Sequence, residues 1–427
     1  MAMFGKRKRF WDAAPLPGSR SAVVVGGGIH GLSAAYFLAE AWKLREVAVL
    51  EAGSIGRMDF GGNDGVVRAD QRTAEEVAFH KEGLELWPRL TDRLRIGPLF
   101  DPCGTLTLAH DPAGIAELRF RAIVGRLTGV DTLLIDPLAC RELVPALDVT
   151  DRPRRPAVGG LLHVPGGRVR IEAAILGMAR AAARRGVTLH EGVRALRIET
   201  ADGRVVAVET DRGTIQTPRL LVAAGFGSAA LLRTAGVELS LRRLRRTSMV
   251  SARLRPTLNL ALSTLDGTAT PDRHVVQTPS GEIEVGTSPT PVPSPESDME
   301  SDMEFDSEFD PEFGAEPAGE FGSKSRAVPN PAREMETLAA GLVELLPCMA
   351  GVPFVRFRVR EMDGTADGMP VADGNFGIDG LFADCGWADA EFQSGPAAGK
   401  FLAEFMATGR RPDILRPFAL SRPRDRR

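Results

Sequence analysis

Residues 22–51 constrain this chain more than any other stretch. Ala22-Val-Val-Val25 reads as a buried strand, and Gly26-Gly-Gly-Ile-His-Gly31 follows it directly in the pattern G-x-G-x-x-G. Leu32 to Ala39 reads as an amphipathic helix. A second apolar strand, Val47-Ala-Val-Leu50, ends in Glu51, twenty positions after Gly31. Each part has a mechanical job: Gly26 permits a tight turn, Gly28 lets the backbone approach a pyrophosphate, and Gly31 lets helix and strand pack closely. The helix N-terminus offers N–H groups and partial positive charge to phosphates, and Glu51 can accept hydrogen bonds from a ribose. Strand, glycines, helix, strand and acid in this order predict a dinucleotide-binding fold. The competing reading is a glycine-rich turn in some other α/β protein. The motif alone does not separate a nicotinamide from a flavin nucleotide, but Glu51 argues against NADP, whose 2′-phosphate it would repel.

A chain of 427 residues is long enough for two domains. Its hydrophobic content of 43% is that of an ordinary soluble protein, and no apolar run reaches the length of a membrane span. The first twenty residues carry Lys6-Arg-Lys-Arg9 without an apolar segment behind it, which predicts a flexible basic arm at 1–19, not a secretory signal. No nucleic-acid partner is expected. Cys103, Cys140, Cys348 and Cys385 are scattered, with no C-x-x-C pair, so neither a zinc site nor a disulfide framework is expected, and a reducing cytoplasm fits. Residues 294–323 hold eleven acids and no Lys or Arg; with a net charge of −3 overall, the rest of the chain stands at +8.

Thr73 and Glu76 are spaced as a capping box for a helix over 72–87 that Pro88 ends or kinks. Residues 99–109 alternate like a strand, 171–185 and 331–346 read as helices, and Asp211-Arg-Gly213 reads as a hairpin turn. Leu220 to Gly225 is another buried strand, 240–286 an antiparallel sheet, and 395–406 a closing helix. An acidic low-complexity insertion, 288–329, interrupts this order. Within it Phe305, Phe309 and Phe313 each follow a Glu. It is read as a solvated tether, or as a segment that docks on the basic body or on a partner.

Val23 to Ala39 with Val47 to Gly53 resembles the D-amino-acid oxidase superfamily of FAD enzymes, and within it the branch of the sarcosine oxidase β-subunit. Asn63-Asp-Gly-Val-Val-Arg68, Gly203 to Ile215 through Ala223-Ala-Gly225, Thr365 to Val371 and Gly380 to Trp387 extend the resemblance over about residues 20–420. It implies an α/β fold, α+β overall: a Rossmann-like FAD-binding domain (20–90, 152–232 and 352–420) with a mainly antiparallel substrate domain (91–151 and 233–351). It implies an FAD-dependent oxidoreductase that oxidises a secondary amine or amino acid by hydride transfer to the flavin, as a subunit of a hetero-oligomer. The implied partners are a small-molecule substrate and a subunit or electron-acceptor protein. No metal is needed.

The same resemblance implies cofactor contacts at Gly26, Gly27, Gly28, Ile29, His30, Gly31, Glu51, Ala52, Asn63, Gly65, Val193, Ala224, Gly225 and Phe392. At His30 the backbone N–H is the expected contact and the ring is structural. Arg68 matches the arginine that binds a substrate carboxylate, a role its planar fork suits. Departures stand beside these matches. Where active relatives carry a glycine pair followed by Phe-Lys, this chain has Ala390-Glu-Phe-Gln393, so the clamp becomes Arg68 with Gln393. Glu391 adds negative charge near the flavin. Glu284 takes the position of a lysine that promotes reaction with oxygen, which argues for a partner as electron acceptor. Val169 to Ala173 and Val359 to Met362 hold no His or Cys, so FAD is expected to be non-covalent. Arg57-Met58 replaces small residues in the turn after Glu51. Loss of the lysine and the glycine pair leaves an alternative: a non-catalytic flavin-fold subunit that acts as scaffold or regulator.

Overall fold

A computed structural model of the chain describes residues 11, 14–56, 63–265, 272–292, 331–374 and 376–422. Arg57-Met58, most of the basic arm and the core of the acidic insertion lie outside the described residues.

One layer is a six-stranded sheet. Its strands are β1 (Ala22–Val25), β2 (Val47–Glu51), β9 (Thr188–Glu191), β13 (Leu220–Val222), β20 (Val371–Asp373) and β21 (Leu381–Cys385), in the order β20-β21-β13-β1-β2-β9. All neighbours run parallel except β20 and β21. β1, β13, β20 and β21 are buried throughout, as expected of a sheet covered on both faces. Helix α1 (Ile29–Glu40) is buried at every position but Glu40, packed among β1, β2, α5 (Ile171–Ala183) and α8 (Glu391–Thr408). Small residues let α1 and α8 approach closely: a Cβ on Gly395 would stand 2.8 Å from Ile29, and one on Gly399 2.4 Å from Ser33.

Helix α2 (Ala74–Leu94) starts on the Thr73–Glu76 capping box and continues through Pro88, so the proline does not end it. A proline costs a helix about 3 kcal/mol. Trp87, Leu90 and Leu94 offset that by holding the second half of α2 in the core.

The other large layer is a nine-stranded sheet with strands β5 (Thr105–Ala109), β6 (Thr132–Ile135), β7 (Gly159–His163), β14 (Leu241–Arg253), β15 (Ala261–Leu265), β16 (Arg273–Gln277), β17 (Glu282–Thr287), β18 (Thr290–Pro291) and β19 (Phe354–Thr365). Its order is β18-β14-β17-β16-β15-β5-β7-β6, with β19 also on β14. Only β5 and β15 pair in parallel. β7 and β19 fall in the stretches 152–232 and 352–420, which were expected to bind FAD. Within this sheet β7 sits between β5 and β6, and β19 follows β14 along nearly its whole length. One face carries Leu106, Leu262, Val275, Ile283 and Val285 and is covered by α7 (Pro331–Leu345). Helix α3 (Pro112–Thr128) lies against β5, β6 and β7, and α4 (Pro137–Leu143) against β7. Helix α6 (Gly227–Arg233) follows β13.

Two small sheets complete the fold. One is β3 (Val66–Val67), β8 (Gly167–Val169) and β4 (Phe100–Asp101). The other is a meander of β10 (Ala195–Ala201), β11 (Arg204–Thr210) and β12 (Gly213–Gln216).

Candidate active site

The glycine loop is held by contacts that exclude any side chain. Gly26 has φ +116°, and a Cβ there would meet the Ala223 carbonyl oxygen at 2.0 Å; one on Gly31 would meet the Gly26 carbonyl oxygen at 2.1 Å. Gly28 is the N-cap of α1, with no side-chain cap and no acid in the first turn. The first-turn N–H groups therefore face outward as an anion site. Glu51 closes the loop from the side: its carboxylate accepts from Gly27 N–H at 2.8 Å and Gly53 N–H at 2.7 Å. Ala52 is exposed in the same turn, and Val193 N–H donates to the Glu51 carbonyl at 3.0 Å. Ala224 and Gly225 follow β13 beside Gly26, Gly225 with φ +54°. Asn63 Oδ1 accepts from Gly65 N–H at 2.9 Å, and a Cβ on Gly65 would meet the Val169 carbonyl oxygen at 2.4 Å.

A cleft opens at this helix end, lined by Gly28, Ile29, His30, Ala223, Gly225, Asp363 and Glu391 among others. Charge at the cleft is balanced within the chain. His30 Nδ1 lies 2.8 Å from Asp384 Oδ2, and Nε2 lies 2.7 Å from the Glu391 carbonyl oxygen. Two acceptors on one ring require two N–H donors, hence an imidazolium. Burial alone would lower the His30 pKa, but Asp384 and then Glu391 overcome it and lift it to about 9. Asp384 also accepts from Trp387 Nε1 at 2.6 Å. The Glu391 carboxylate pairs with Arg360 on β19. Burial pushes the Asp363 carboxyl up, toward its neutral form. The acids at the cleft are thus paired or shifted toward neutrality, and its open donors are backbone N–H groups. These residues fit the pyrophosphate and ribose of FAD.

Phe392 is a core residue. It stacks on Trp87 with ring centroids 5.4 Å apart, so only its backbone is left to reach a cofactor.

Register identifies a second surface. Thr107, Ser263, His274, Gly286, Ser248 and Arg358 are direct cross-strand partners from β5 to β19, so their side chains share one face. Arg246, Glu284 and Arg360, two positions along, share it too. Arg246 is 1% exposed and bridges Asp64 Oδ2 at 2.8 Å and Asp389 Oδ1 at 2.7 Å. A Cβ on Gly286 would stand 3.0 Å from two of its guanidinium nitrogens, so this glycine makes the room. Burial opposes the charge of Asp64, yet Arg246 holds its carboxyl far below the ordinary range. His274 stays neutral because burial outweighs Asp389 and Asp64.

Arg68 and Gln393 come together. Gln393 Oε1 accepts the backbone N–H of Arg68 at 3.0 Å, which leaves its NH₂ as the donor end. The Arg68 guanidinium lies 3.3 Å from Thr107 Oγ1 and 3.8 Å from Asp70 Oδ2. His80 beside it is driven down to about 4, first by burial and then by Arg68. Arg246, His274, Asp363 and Asp389 escaped the sequence reading. The only trace of the first is the arginine-dense run Leu241 to Arg246, which does not say which arginines face inward.

The model of the FAD dependent oxidoreductase family (DAO) matches residues 21–405. The sarcosine oxidase subunit beta of Rhizobium meliloti (strain 1021) is 30% identical over 401 residues, 94% of this chain and 87% of that one. Its namesake from Rhodobacter capsulatus is 27% identical over 96% of this chain and 90% of its own length. The crystal structure of L-proline dehydrogenase from P. horikoshii superposes with a TM-score of 0.77 at 19% identity, covering 94% of this chain and 98% of that one.

Proposed function

The chain belongs to the FAD dependent oxidoreductase family, and on that premise we propose that it oxidises a secondary amine or amino acid of sarcosine or proline type, as one subunit of a hetero-oligomer with non-covalent FAD. The observation that carries the reading is the junction of an uncapped helix end with a polar sheet face. Glu391 lines the cleft at α1 and pairs with Arg360 on that face. The six-stranded layer is assigned to the cofactor and the nine-stranded layer to the substrate.

Gly26, Gly27 and Gly28, with the first-turn N–H groups of Ile29, His30 and Gly31, would hold the pyrophosphate. Glu51 with Ala52 would hold the ribose, and Ala224 and Gly225 would flank the cleft. Asn63, Gly65, Val193 and Phe392 would contribute through backbone positions. Bound FAD supplies a two-electron acceptor for the hydride leaving the carbon beside nitrogen. Arg68 binds the substrate carboxylate with its fork, assisted by the NH₂ of Gln393. His80 and His163, both shifted down mainly by burial, leave Arg68 as the cation that orients the substrate there, beside the Asp70 carboxylate.

Non-covalent attachment is supported by the state of the two nearest nucleophiles. Burial pushes the Cys385 thiol well above its usual range, and both ring nitrogens of His30 donate. Glu284, buried on the sheet face, favours a protein over oxygen as electron acceptor. The relatives named above as β subunits support a partner subunit. The four cysteines are free, which suits a cytoplasmic protein; among the described residues no helix is long and apolar enough to cross a membrane.

The visible spectrum of the purified chain, before and after acid precipitation, tests the cofactor. Flavin in the supernatant, and anaerobic bleaching by sarcosine or proline before precipitation, are the expected results. A scaffold role is favoured by one observation: Arg68 and Arg246 already face carboxylates of the chain itself. A well-folded, colourless protein would establish that reading instead.

A further inference from the structure

The nine-stranded sheet ends at β6, which pairs with β7 on one side and with no described strand on the other. An open edge offers unpaired N–H and C=O groups, and proteins usually guard it with charge, proline or a bulge. Thr132-Leu-Leu-Ile135 contains no charge or proline, and Leu133 and Leu134 are 51% and 41% exposed. A separate apolar stripe lies on the outer side of α3, turned away from the sheet-facing Leu118, Arg121 and Gly125. Phe120, Ile123 and Leu127 recur at i, i+3 and i+7, a single stripe, and are 52%, 50% and 81% exposed. A Cβ on Gly125 would stand 3.0 Å from Thr132 Oγ1, so the helix lies directly beside the strand. Leu138, at the start of α4, is 68% exposed. Scattered exposed leucines mean little, but a run of large apolar side chains along an open edge marks a contact surface.

Charge selects the occupant. Asp131 and Asp136 bracket β6, and both are exposed. A second copy pairing antiparallel through its own β6 would set these aspartates against each other at both ends, which is destabilising. The acidic stretch 294–323 of the same chain, with eleven acids and no Lys or Arg, meets the same repulsion. The complementary segment is therefore apolar along the strand and basic at its ends.

We propose that the β6 edge docks an extended apolar segment of a different polypeptide, flanked by Lys or Arg, which adds to the sheet as a further strand. This rests on the reading of the chain as one subunit of a hetero-oligomer and gives that reading a location.

The test uses the full chain and two synthetic strand peptides of alternating Val and Thr, one with Lys and one with Glu at both ends. Sedimentation gives the oligomeric state, and amide hydrogen exchange reads residues 132–135. The expected results are a monomer whose β6 amides exchange fast, and at least tenfold slowing by the Lys-ended peptide alone. D131K, which spares the Asp136 cap of α4, should reduce the preference for the Lys-ended peptide, and L133K/L134K should abolish binding, with the thermal midpoint kept in both. A dimer dissociated by L133K/L134K would overturn the proposal in favour of a second copy. So would β6 amides already protected in the free chain and released by deletion of 294–323, which would identify that segment as the cover. Indifference to both peptides, or equal response to both, also overturns it. Flavin content is scored separately. A colourless chain with the peptide preference sinks the enzymatic reading and keeps the surface, and a yellow, indifferent chain does the reverse.

Discussion

Raising the pH should weaken the fold through His30. Its pKa rises from 6.5 in the unfolded chain to about 9 in the folded one. A group whose folded pKa is raised contributes fully below its unfolded value, and that contribution disappears as pH climbs through the folded pKa. At about 1.4 kcal/mol per pH unit, the whole shift is worth about 3 kcal/mol, held at pH 6 and gone by pH 10. Two variants isolate it. H30Q leaves the buried Asp384 carboxylate with the Trp387 indole N–H as its remaining partner, at a cost of about 3–5 kcal/mol at pH 7. D384N removes the charge that holds the proton, so burial returns the ring to neutrality. Urea unfolding of wild type and H30Q at half-unit steps from pH 6 to 10 gives the difference directly, and other titrating groups cancel. The wild-type advantage should shrink by about 3 kcal/mol across that window. An advantage that stays flat or grows toward pH 10 would refute the double-donor assignment.

Other substitutions probe separate parts of the structure. G31A puts a methyl group 2.1 Å from the Gly26 carbonyl oxygen and should cost about 1–3 kcal/mol, visible as a lower thermal midpoint and a lower flavin content. R246M strands the Asp64 and Asp389 carboxylates and should cost about 3–5 kcal/mol in denaturant, while D64N/R246M/D389N should recover most of it. R68K keeps the charge but loses the fork, so the Kd of a carboxylate-bearing substrate, read from perturbation of the flavin spectrum, should rise about tenfold or more. T73A removes the capping box of α2 and should cost about 1 kcal/mol in the unfolding midpoint.

How far the sequence could be read followed from how local each interaction is. The loop from Gly26 to Glu51 was legible because its parts are neighbours in the chain and each needs a particular residue type. The Thr73–Glu76 cap was legible for the same reason. Pro88 misled because the cost of a proline is local, whereas the contacts of Trp87, Leu90 and Leu94 that offset it are not. Arg246 was hidden because its strand carries arginines on both faces: Arg245 meets Glu334, and Arg246 turns to Asp64 and Asp389. Only the pairing of β14 with β17 and β19 separates them. The ring of His30 was expected to be structural, but its partners stand 354 and 361 residues away, beyond the reach of any local pattern.

That separation has a consequence for biosynthesis. The ribosome adds about 5–20 residues per second, so the glycine loop waits on the order of tens of seconds for Glu391 to be made. During that interval α1, apolar on nearly every side, has neither α8 to cover it nor Asp384 to hold its histidine. Loading of the dinucleotide is therefore a step that follows translation, and the nascent chain exposes a sticky helix throughout. Yield in a heterologous host should depend on chaperone supply and slow growth more than on flavin supply. A chain interrupted before α8 should be recovered as aggregate even though its entire glycine motif is intact.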